Sequence, residues 1–148
     1  MLERDLIQTR GFHNMTVDGK TTGFQFNIRL TYYRGIFLSQ LRPWNITVDG
    51  EKFDKRSVIW NLKGEDFSYE QMSREVDVHW GPEDTMTVKV LKNGGLKEGY
   101  HEIKAGYRFS SSYLPPQLQA HIDDEEPDPL LSAMFGQLES TRKLLLVM

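Results

Sequence analysis

The chain has 148 residues, about one domain's length, and its net charge of −3 with scattered Lys and Arg gives no positive field for nucleic acid. It has no cysteine, which excludes disulfides, thiolate nucleophiles and zinc sites built on sulfur. No apolar run approaches the roughly 18 residues of a membrane span, and no secretion signal is visible, so we expect a cytoplasmic protein without membrane attachment. We predict a single domain over residues 1–148.

The clearest strand signal lies in residues 22–31, where four apolar residues alternate with polar ones: Phe24, Phe26, Ile28 and Leu30. The dipeptide Asp18-Gly19, just before this segment, tolerates positive φ at both positions of a type I′ turn and predicts a hairpin. Asp49-Gly50 repeats this signal after the alternating segment 44–48, and Asn93-Gly94-Gly95 predicts a third turn. These turns indicate antiparallel pairing.

Further strands are predicted at residues 57–62, 85–91, 101–113 and 142–147. In the third of these, one face carries Ile103, Ala105, Tyr107 and Phe109. The apolar run at 144–147 indicates burial on both faces or cover by a partner. Ser68 and Gln71 have the spacing of a capping box and predict one short helix. Together the elements predict an all-β protein, an antiparallel, jelly-roll-like β-sandwich with one short helix.

Residues 114–139 differ in composition, because four prolines accompany the acidic run 123–126. We predict a long proline-rich acidic loop between two core strands, of a length that is usually functional or disordered. Asp128 and Pro129 could begin a helical turn that carries Met134 and Phe135.

Catalytic and metal-binding patterns are missing from the sequence. The four histidines lie far apart without the spacing of a local ligand pair, and residues 110–112 are serines without a nucleophile elbow. We therefore assign no catalytic and no metal-binding residue to this chain. Trp44, Trp60 and Trp80 could form a sugar-stacking platform of a stand-alone carbohydrate-binding module, although core or edge packing is favoured.

A series of short motifs resembles the small, or β, subunit of bacterial C-glycoside deglycosidases. The motifs, in order and spacing, are Thr22-Gly23-Phe24-Gln25-Phe26, Leu30-Thr31-Tyr32-Tyr33-Arg34-Gly35, Val48-Asp49-Gly50, Leu91-Lys92-Asn93-Gly94-Gly95-Leu96, Ser112-Tyr113-Leu114-Pro115-Pro116 and Thr141-Arg142-Lys143-Leu144. The likeness covers nearly the whole chain, with 117–139 the least matched part. No single motif is specific, but the series is.

The resemblance implies a heteromeric, lyase-type enzyme. In that family the α subunit is a TIM barrel that holds a divalent metal, usually Mn²⁺, and the β subunit is a β-sandwich docked against it. The complex cleaves the carbon–carbon bond between a 3-oxo sugar and a flavonoid-type aglycone. This chain would be an accessory subunit, inactive alone and without a cofactor, that stabilises the barrel and shapes the substrate entrance.

Candidate contact residues for the α subunit follow from residue type and position. Tyr and Arg are enriched in desolvated interfaces, and two tyrosines and an arginine follow the clearest strand; one tyrosine packed inside and the other exposed is the alternative. The full set is Tyr32, Tyr33, Arg34, Tyr113, Leu114, Pro115, Met134 and Phe135.

Overall fold

A computed structural model describes residues 2–31, 35–109 and 136–147. Its strands are β1 (His13–Val17), β2 (Lys20–Arg29), β3 (Ile36–Phe37), β4 (Leu41–Pro43), β5 (Ile46–Val48), β6 (Glu51–Phe53), β7 (Val58–Leu62), β8 (Glu65–Phe67), β9 (His79–Trp80), β10 (Thr85–Leu91), β11 (Gly99–Phe109) and β12 (Gly136–Leu146). The α-helix is α1 (Tyr69–Met72), and Leu38–Gln40 and Lys55–Ser57 are short 3₁₀ helices.

Two antiparallel sheets make up most of the described structure, which confirms the predicted all-β fold. The first sheet has the order β1-β2-β10-β7-β8. The second has the order β12-β11-β5-β6, with β4 pairing with the far end of β11. A separate two-stranded ribbon joins β3 and β9. Buried side chains from both sheets and from the ribbon form one apolar cluster, as expected of packed sheets.

The alternation predicted for β2 is confirmed, because Phe24, Phe26, Ile28 and Leu30 are all buried. The predicted Asp-Gly hairpins are confirmed as well: φ is 51° and 79° at Asp18 and Gly19, and 50° and 86° at Asp49 and Gly50. A further hairpin joins β7 to β8 through Lys63 and Gly64, with φ of 55° and 86°. This turn has no clear signal in the sequence, because lysine is uncommon where φ is positive.

The final strand begins earlier than predicted. It was predicted at residues 142–147, yet β12 begins at Gly136 and pairs with β11 along its whole length, from Phe109↔Gly136 to Gly99↔Leu146. The predicted loop 114–139 is therefore wrong at its carboxyl end, where 136–139 are strand. The remainder of the loop, with its prolines, acidic run and predicted helical turn, lies outside the described residues.

The apolar run at the end of β12 alternates between two environments. Leu144 and Leu146 are buried in the core, whereas Leu145 is 47% exposed and Val147 is 66% exposed. Burial on both faces is therefore ruled out within the described residues. One face of the strand packs inside the sandwich, and the other faces outward.

The short helix α1 confirms the predicted capping box. The Ser68 hydroxyl accepts a hydrogen bond from the Gln71 backbone N–H, and the Gln71 side chain accepts one from the Ser68 backbone N–H. Two backbone donors at the helix start are thus satisfied reciprocally. Tyr69 and Met72 are buried beneath the helix and anchor it to the core.

Residues 2–10 form a segment that ties the two sheets together. On the side of the first sheet, the Gln8 N–H donates to Asn27 O and the Arg29 N–H donates to Leu6 O. On the side of the second sheet, Arg142 of β12 donates to Ile7 O at 2.7 Å and to the Glu3 carboxylate at 2.9 Å. This segment closes one side of the sandwich with polar contacts.

Glu3 organises this segment. Its carboxylate accepts hydrogen bonds from the backbone N–H and hydroxyl of Thr9, at 2.6 and 2.8 Å. The backbone hydrogen bond from Thr9 is the largest cause that lowers the pKa of Glu3 to about 2, and the Thr9 hydroxyl and Arg142 add to it. Hydrogen bonding to the charged form favours that form.

We expect Glu3→Gln to lower the free energy of unfolding at pH 7 by about 1 kcal/mol, a value that allows for partial solvent exposure of the carboxylate. Because its folded pKa lies below its ordinary value of 4.5, the stabilisation by Glu3 is present above pH 4.5 and is lost as pH falls toward about 2. Urea unfolding of both proteins between pH 7 and pH 2 measures the difference. Glu51→Gln, which removes an exposed bridge to Lys92, is the control and should cost less. A Glu3→Gln deficit that stays constant down to pH 2 would contradict this assignment.

Candidate partner-binding surface

The eight predicted contact residues, Tyr32, Tyr33, Arg34, Tyr113, Leu114, Pro115, Met134 and Phe135, all lie outside the described residues. Their neighbours in the chain are described, and they meet at one end of the sandwich. Thr31 follows β2, Phe109 ends β11, and Gly136 begins β12 opposite Phe109. The chain therefore enters and leaves both segments, 32–34 and 110–135, at this end.

The Tyr107 hydroxyl fixes the geometry of this end. It accepts a hydrogen bond from the Thr31 N–H at 3.1 Å and donates one to Arg29 O at 3.2 Å, so it joins the end of β2 to β11. Burial raises the pKa of Tyr107, and the Thr31 contacts only partly oppose that effect. We call this end of the sandwich, which is marked by Thr31, Gly35, Phe109 and Gly136, the Tyr107 end.

The β3–β9 ribbon presents apolar and aromatic surface beside the Tyr107 end. Phe37 is 42% exposed, and the edge of its ring meets the His79 ring with centroids 5.3 Å apart. Gly35 has φ of +75°, and a Cβ there would lie 2.6 Å from His79 Cε1. Glycine thus lets the chain pass directly under the imidazole as it leaves residue 34.

Trp80 anchors the same ribbon from beneath. The indole is fully buried, meets Tyr107 edge-on at 5.5 Å, and donates from Nε1 to Asp84 O at 2.9 Å. Ile36, the backbone partner of Trp80, is buried as well. We call Gly35, Phe37 and His79 the ribbon patch. Its signal in the sequence was weak because β3 and β9 are too short to show alternation.

Two arginines flank the Tyr107 end on the second sheet. Arg42 of β4 and Arg108 of β11 are direct cross-strand partners, one residue away from Phe109. Arg42 donates to the backbone oxygens of Ser39 and Leu41, at 2.9 and 2.8 Å. Arg108 is buried, which is uncommon for an arginine. The Tyr107 end therefore combines aromatic and cationic side chains.

A second exposed apolar group lies at the opposite end of β11. Tyr100 is 71% exposed and is the direct partner of Leu145, and Val147 follows two residues later. We call Tyr100, Leu145 and Val147 the β11–β12 patch. It contains the exposed half of the apolar run at 144–147, for which the sequence predicted either burial on both faces or cover by a partner.

His101, next to this patch, ties three segments together. Its Nδ1 lies 2.6 Å from Asp49 Oδ2, and its Nε2 lies 2.6 Å from Lys97 O. Burial lowers the pKa of His101, but the contacts with Lys97 O and the Asp49 carboxylate outweigh burial and raise it. Both partners are acceptors, so the doubly protonated ring suits this position. The role is structural, since the contacts hold the β5–β6 turn against β11.

The tryptophans do not form a sugar-stacking platform. Trp60 and Trp80 are buried in the core. Trp44 is half-buried and covers Gly106, where a Cβ would lie 2.7 Å from Trp44 Cε3. The packing alternative for these residues is therefore confirmed.

Within residues 2–31, 35–109 and 136–147, no group of three or more His, Asp or Glu side chains is placed to hold a metal ion. His121 and the acidic run 123–126 lie outside this part of the chain. The helices in the described part of the chain are too short or too polar to cross a membrane.

Comparisons with known proteins bear on the whole chain. The family model described as "C-glycoside deglycosidase beta subunit" matches residues 2–113. A C-glycoside deglycosidase beta subunit of Eubacterium cellulosolvens is 40% identical over 147 residues, which cover 99% of this chain and all of that protein. The alignment with that protein thus extends across 117–139, beyond the end of the family match.

Two relatives from Microbacterium are more distant. A 3′-dehydrocarminate deglycosidase beta subunit is 30% identical over 72% of this chain and 83% of its own length. A C-glycoside deglycosidase beta subunit of Microbacterium trichothecenolyticum is 24% identical over 66% of this chain and 76% of its own length. The β subunit designation implies an enzyme of more than one kind of subunit, with an α partner. On the family match and the Eubacterium relative together, the chain belongs to the family of C-glycoside deglycosidase β subunits.

Proposed function

We propose that this chain is the accessory, non-catalytic β subunit of a heteromeric C-glycoside deglycosidase, and that the Tyr107 end is the surface that docks on its α subunit. The observation that carries the proposal is family membership, with 40% identity over the full length of a β subunit and 99% of this chain. The α subunit would be a TIM barrel that holds the divalent metal, Mn²⁺, and the catalytic base. The described residues of this chain bring together no set of ligands for that ion.

The chemistry that the complex would perform is a lyase-type elimination from a 3-oxo C-glycoside. The ketone at C3 acidifies the C–H bond at C2, so a base can remove that proton. The bond between C1 and the aglycone carbon then breaks, its electron pair leaves with the aglycone carbon, and that carbon takes up a proton. The sugar keeps a C1=C2 double bond conjugated with the ketone. The Microbacterium relative's name, 3′-dehydrocarminate deglycosidase, refers to a substrate at this oxidation level.

The role of this chain would be mechanical and steric. The ribbon patch offers an exposed aromatic ring on a short, rigidly anchored ribbon, and the half-buried Arg42 of β4 adds a cationic side chain at the same end. Aromatic and arginine side chains dominate the centres of protein interfaces. Residues 32–34 and 110–115, which join this end, would complete the contact and border the aglycone entrance. Flavonoid-type aglycones are planar and aromatic, so a rim with exposed aromatic rings would favour them.

If the α subunit carries the catalytic groups and this chain supports it, neither subunit should be fully active alone. We expect the co-expressed complex to release aglycone from a 3-oxo C-glucosyl flavonoid, and this chain alone to release none. Chromatography of the aglycone measures the reaction, and native mass spectrometry measures the complex. The unoxidised C-glycoside is the control substrate and should not react. Aglycone release by this chain without the α subunit would overturn the proposal.

The docking surface is tested by truncating one exposed aromatic ring at each end of the molecule. We expect Phe37→Ala to weaken the affinity for the α subunit about tenfold, because loss of a central aromatic contact typically costs more than 1 kcal/mol. Tyr100→Ala, at the opposite end of β11, is the matched control and should leave the affinity unchanged. Both exposed side chains contribute little to the core, so melting temperatures should stay close to the unmodified chain's.

Biolayer interferometry with immobilised α subunit measures both variants. The reverse result, with Tyr100→Ala weakening the complex and Phe37→Ala not, would place the α subunit on the β11–β12 patch instead. Tyr33→Ala and Arg34→Ala extend the test to the predicted contact residues. Unchanged complex yield for both would remove them from the interface.

A further inference from the structure

Strand β12 is the longest edge strand of the described sheets. It stands at the end of the second sheet and runs for 11 residues beside β11. The other edges are short: β6 and β8 have three residues each, and β1 has five with a register irregularity between Met15 and Thr16. Short strands and bulges are how proteins protect sheet edges from pairing. β12 has neither protection.

The outer edge of β12 is also unpaired in the described part of the chain. Within residues 2–31, 35–109 and 136–147, β11 is the backbone partner of β12, and no other backbone group bonds to it. In the described part of the chain, the hydrogen bonds between the N-terminal segment and β12 come from the side chains of Ser140 and Arg142. Among the described residues, a row of backbone donors and acceptors on this edge therefore has no backbone partner, which is the arrangement that another strand can join.

The outward face of β12 carries an ordered set of charges. Glu139 forms an ion pair with Lys104 of β11 at 3.2 Å, and Lys143 stands opposite Glu102 of β11. Thr141 lies midway between the two charges on the same face, and all three are exposed. A negative charge and a positive charge thus sit at equal distances on either side of Thr141.

This arrangement is self-complementary. When an antiparallel strand pairs with its own copy around a two-fold axis, residues equidistant from the axis face one another. An axis at Thr141 places Glu139 opposite Lys143 of the second copy, twice. With the axis at Ser140 or Arg142, neither Glu139 nor Lys143 faces a residue of opposite charge in the second copy. Opposite charges directly across a strand pair stabilise it, and like charges destabilise it.

We infer that two copies of this chain pair through antiparallel β12 strands around a two-fold axis at Thr141, which joins their second sheets into one continuous sheet. The outward face then carries charges of alternating sign across four strands: Glu102 faces Lys143, Lys143 faces Glu139 of the second copy, and that Glu139 forms a diagonal ion pair with Lys104 of its own chain. On the inward face, Leu138 stands opposite Leu144 of the second copy. The inference does not depend on the proposed docking surface, and it makes the number of β subunits in the enzyme even.

Cross-linking tests the contact directly, because the natural chain has no cysteine. Thr141→Cys places two thiols across the axis, so a short bismaleimide should give a product of twice 17.2 kDa, in the purified chain and in its complex with the α subunit. Thr16→Cys, an exposed threonine on the edge strand β1, is the matched control and should give no such product. Absence of the product from Thr141→Cys overturns the inference. A cross-link to the α subunit instead would show that the partner takes this edge.

Charge exchange tests the register. Glu139→Lys alone and Lys143→Glu alone place like charges across the axis, so each variant should sediment as a monomer. An equimolar mixture of the two restores both pairs and should form mixed dimers, as should the double variant with itself. The mixture contains the same two variants that are monomeric on their own. Mixed dimers would therefore show that both variants are folded and that only the charges prevented their self-association. Single variants that dimerise as well as the unmodified chain, or a mixture that stays monomeric, would refute the Thr141 axis.

Discussion

Replacing Trp80 by alanine is expected to lower the free energy of unfolding by about 3–5 kcal/mol, the usual cost of truncating a fully buried tryptophan. Three contacts are lost together: the edge-on contact with Tyr107, the hydrogen bond to Asp84 O, and the packing of the ribbon on the core. A domain of this size loses roughly 2–4 °C per kcal/mol, so the melting temperature should fall by about 10 °C.

The same substitution should reduce complex formation. Trp80 holds β9 and, through backbone pairing with Ile36, also holds β3. Without the indole, Phe37 and His79 lose their fixed positions, and the affinity for the α subunit should fall further than in Phe37→Ala. Trp80→Phe is the control: it keeps an aromatic ring against Tyr107 but loses the hydrogen bond to Asp84, so we expect a loss of about 1–2 kcal/mol.

Thermal unfolding, monitored by near-ultraviolet circular dichroism, measures the stability of these variants. Interferometry measures their affinity for the α subunit. A melting temperature for Trp80→Ala within about 2 °C of the unmodified protein would contradict the core role of this residue. An unchanged affinity, despite the loss of stability, would instead separate the ribbon from the docking surface.

Replacing Gly23 by alanine should destabilise the protein by about 3 kcal/mol, the upper range for forcing one methyl group into filled space. A Cβ at this position would lie 2.0 Å from Val90 O and 3.0 Å from Leu91 Cα. Both are backbone atoms of β10, so the conflict cannot be relieved by rotating a side chain. Because Gly23 pairs with Leu91 and with Met15 of β1, the strain falls on three adjacent strands.

Gly64→Ala is the matched comparison. Gly64 has φ of +86° in the β7–β8 turn and open space around the position of a Cβ. Its substitution therefore costs only the backbone preference, about 1–2 kcal/mol. Urea unfolding of both variants measures the contrast. If Gly64→Ala proved as destabilising as Gly23→Ala, the close approach of β2 and β10 would not be the reason that glycine is needed at position 23.

Local sequence patterns were sufficient to predict an element when the residues that determine it all lie within one short segment. The alternation of β2, the Asp-Gly turns and the capping box at Ser68 each depend on neighbours within a few residues. The limits of β10 were also predicted correctly, because its inward face carries Met86, Val88 and Val90. The resemblance to the β subunits rested on a series of such short motifs, and the comparisons confirm it.

The sequence did not predict strands whose position depends on contacts with residues far away in the chain. The first half of β12 has no apolar alternation, because its inward Ser140 and Arg142 bond to Asp5, Glu3 and Ile7 at the other end of the chain. The pairing of β3 with β9 was not predicted, since each strand has two residues.

The sequence by itself determined that the chain forms antiparallel β-structure, where its Asp-Gly hairpins turn, and which family it resembles, because periodicity, turn chemistry and short motifs are local properties. Tertiary structure alone decided which half of the run at 144–147 is buried, which strand stands at a sheet edge, and which chain segments meet around the Tyr107 hydroxyl. Those features arise from the order of strands across a sheet, and that order depends on contacts between residues far apart in the chain.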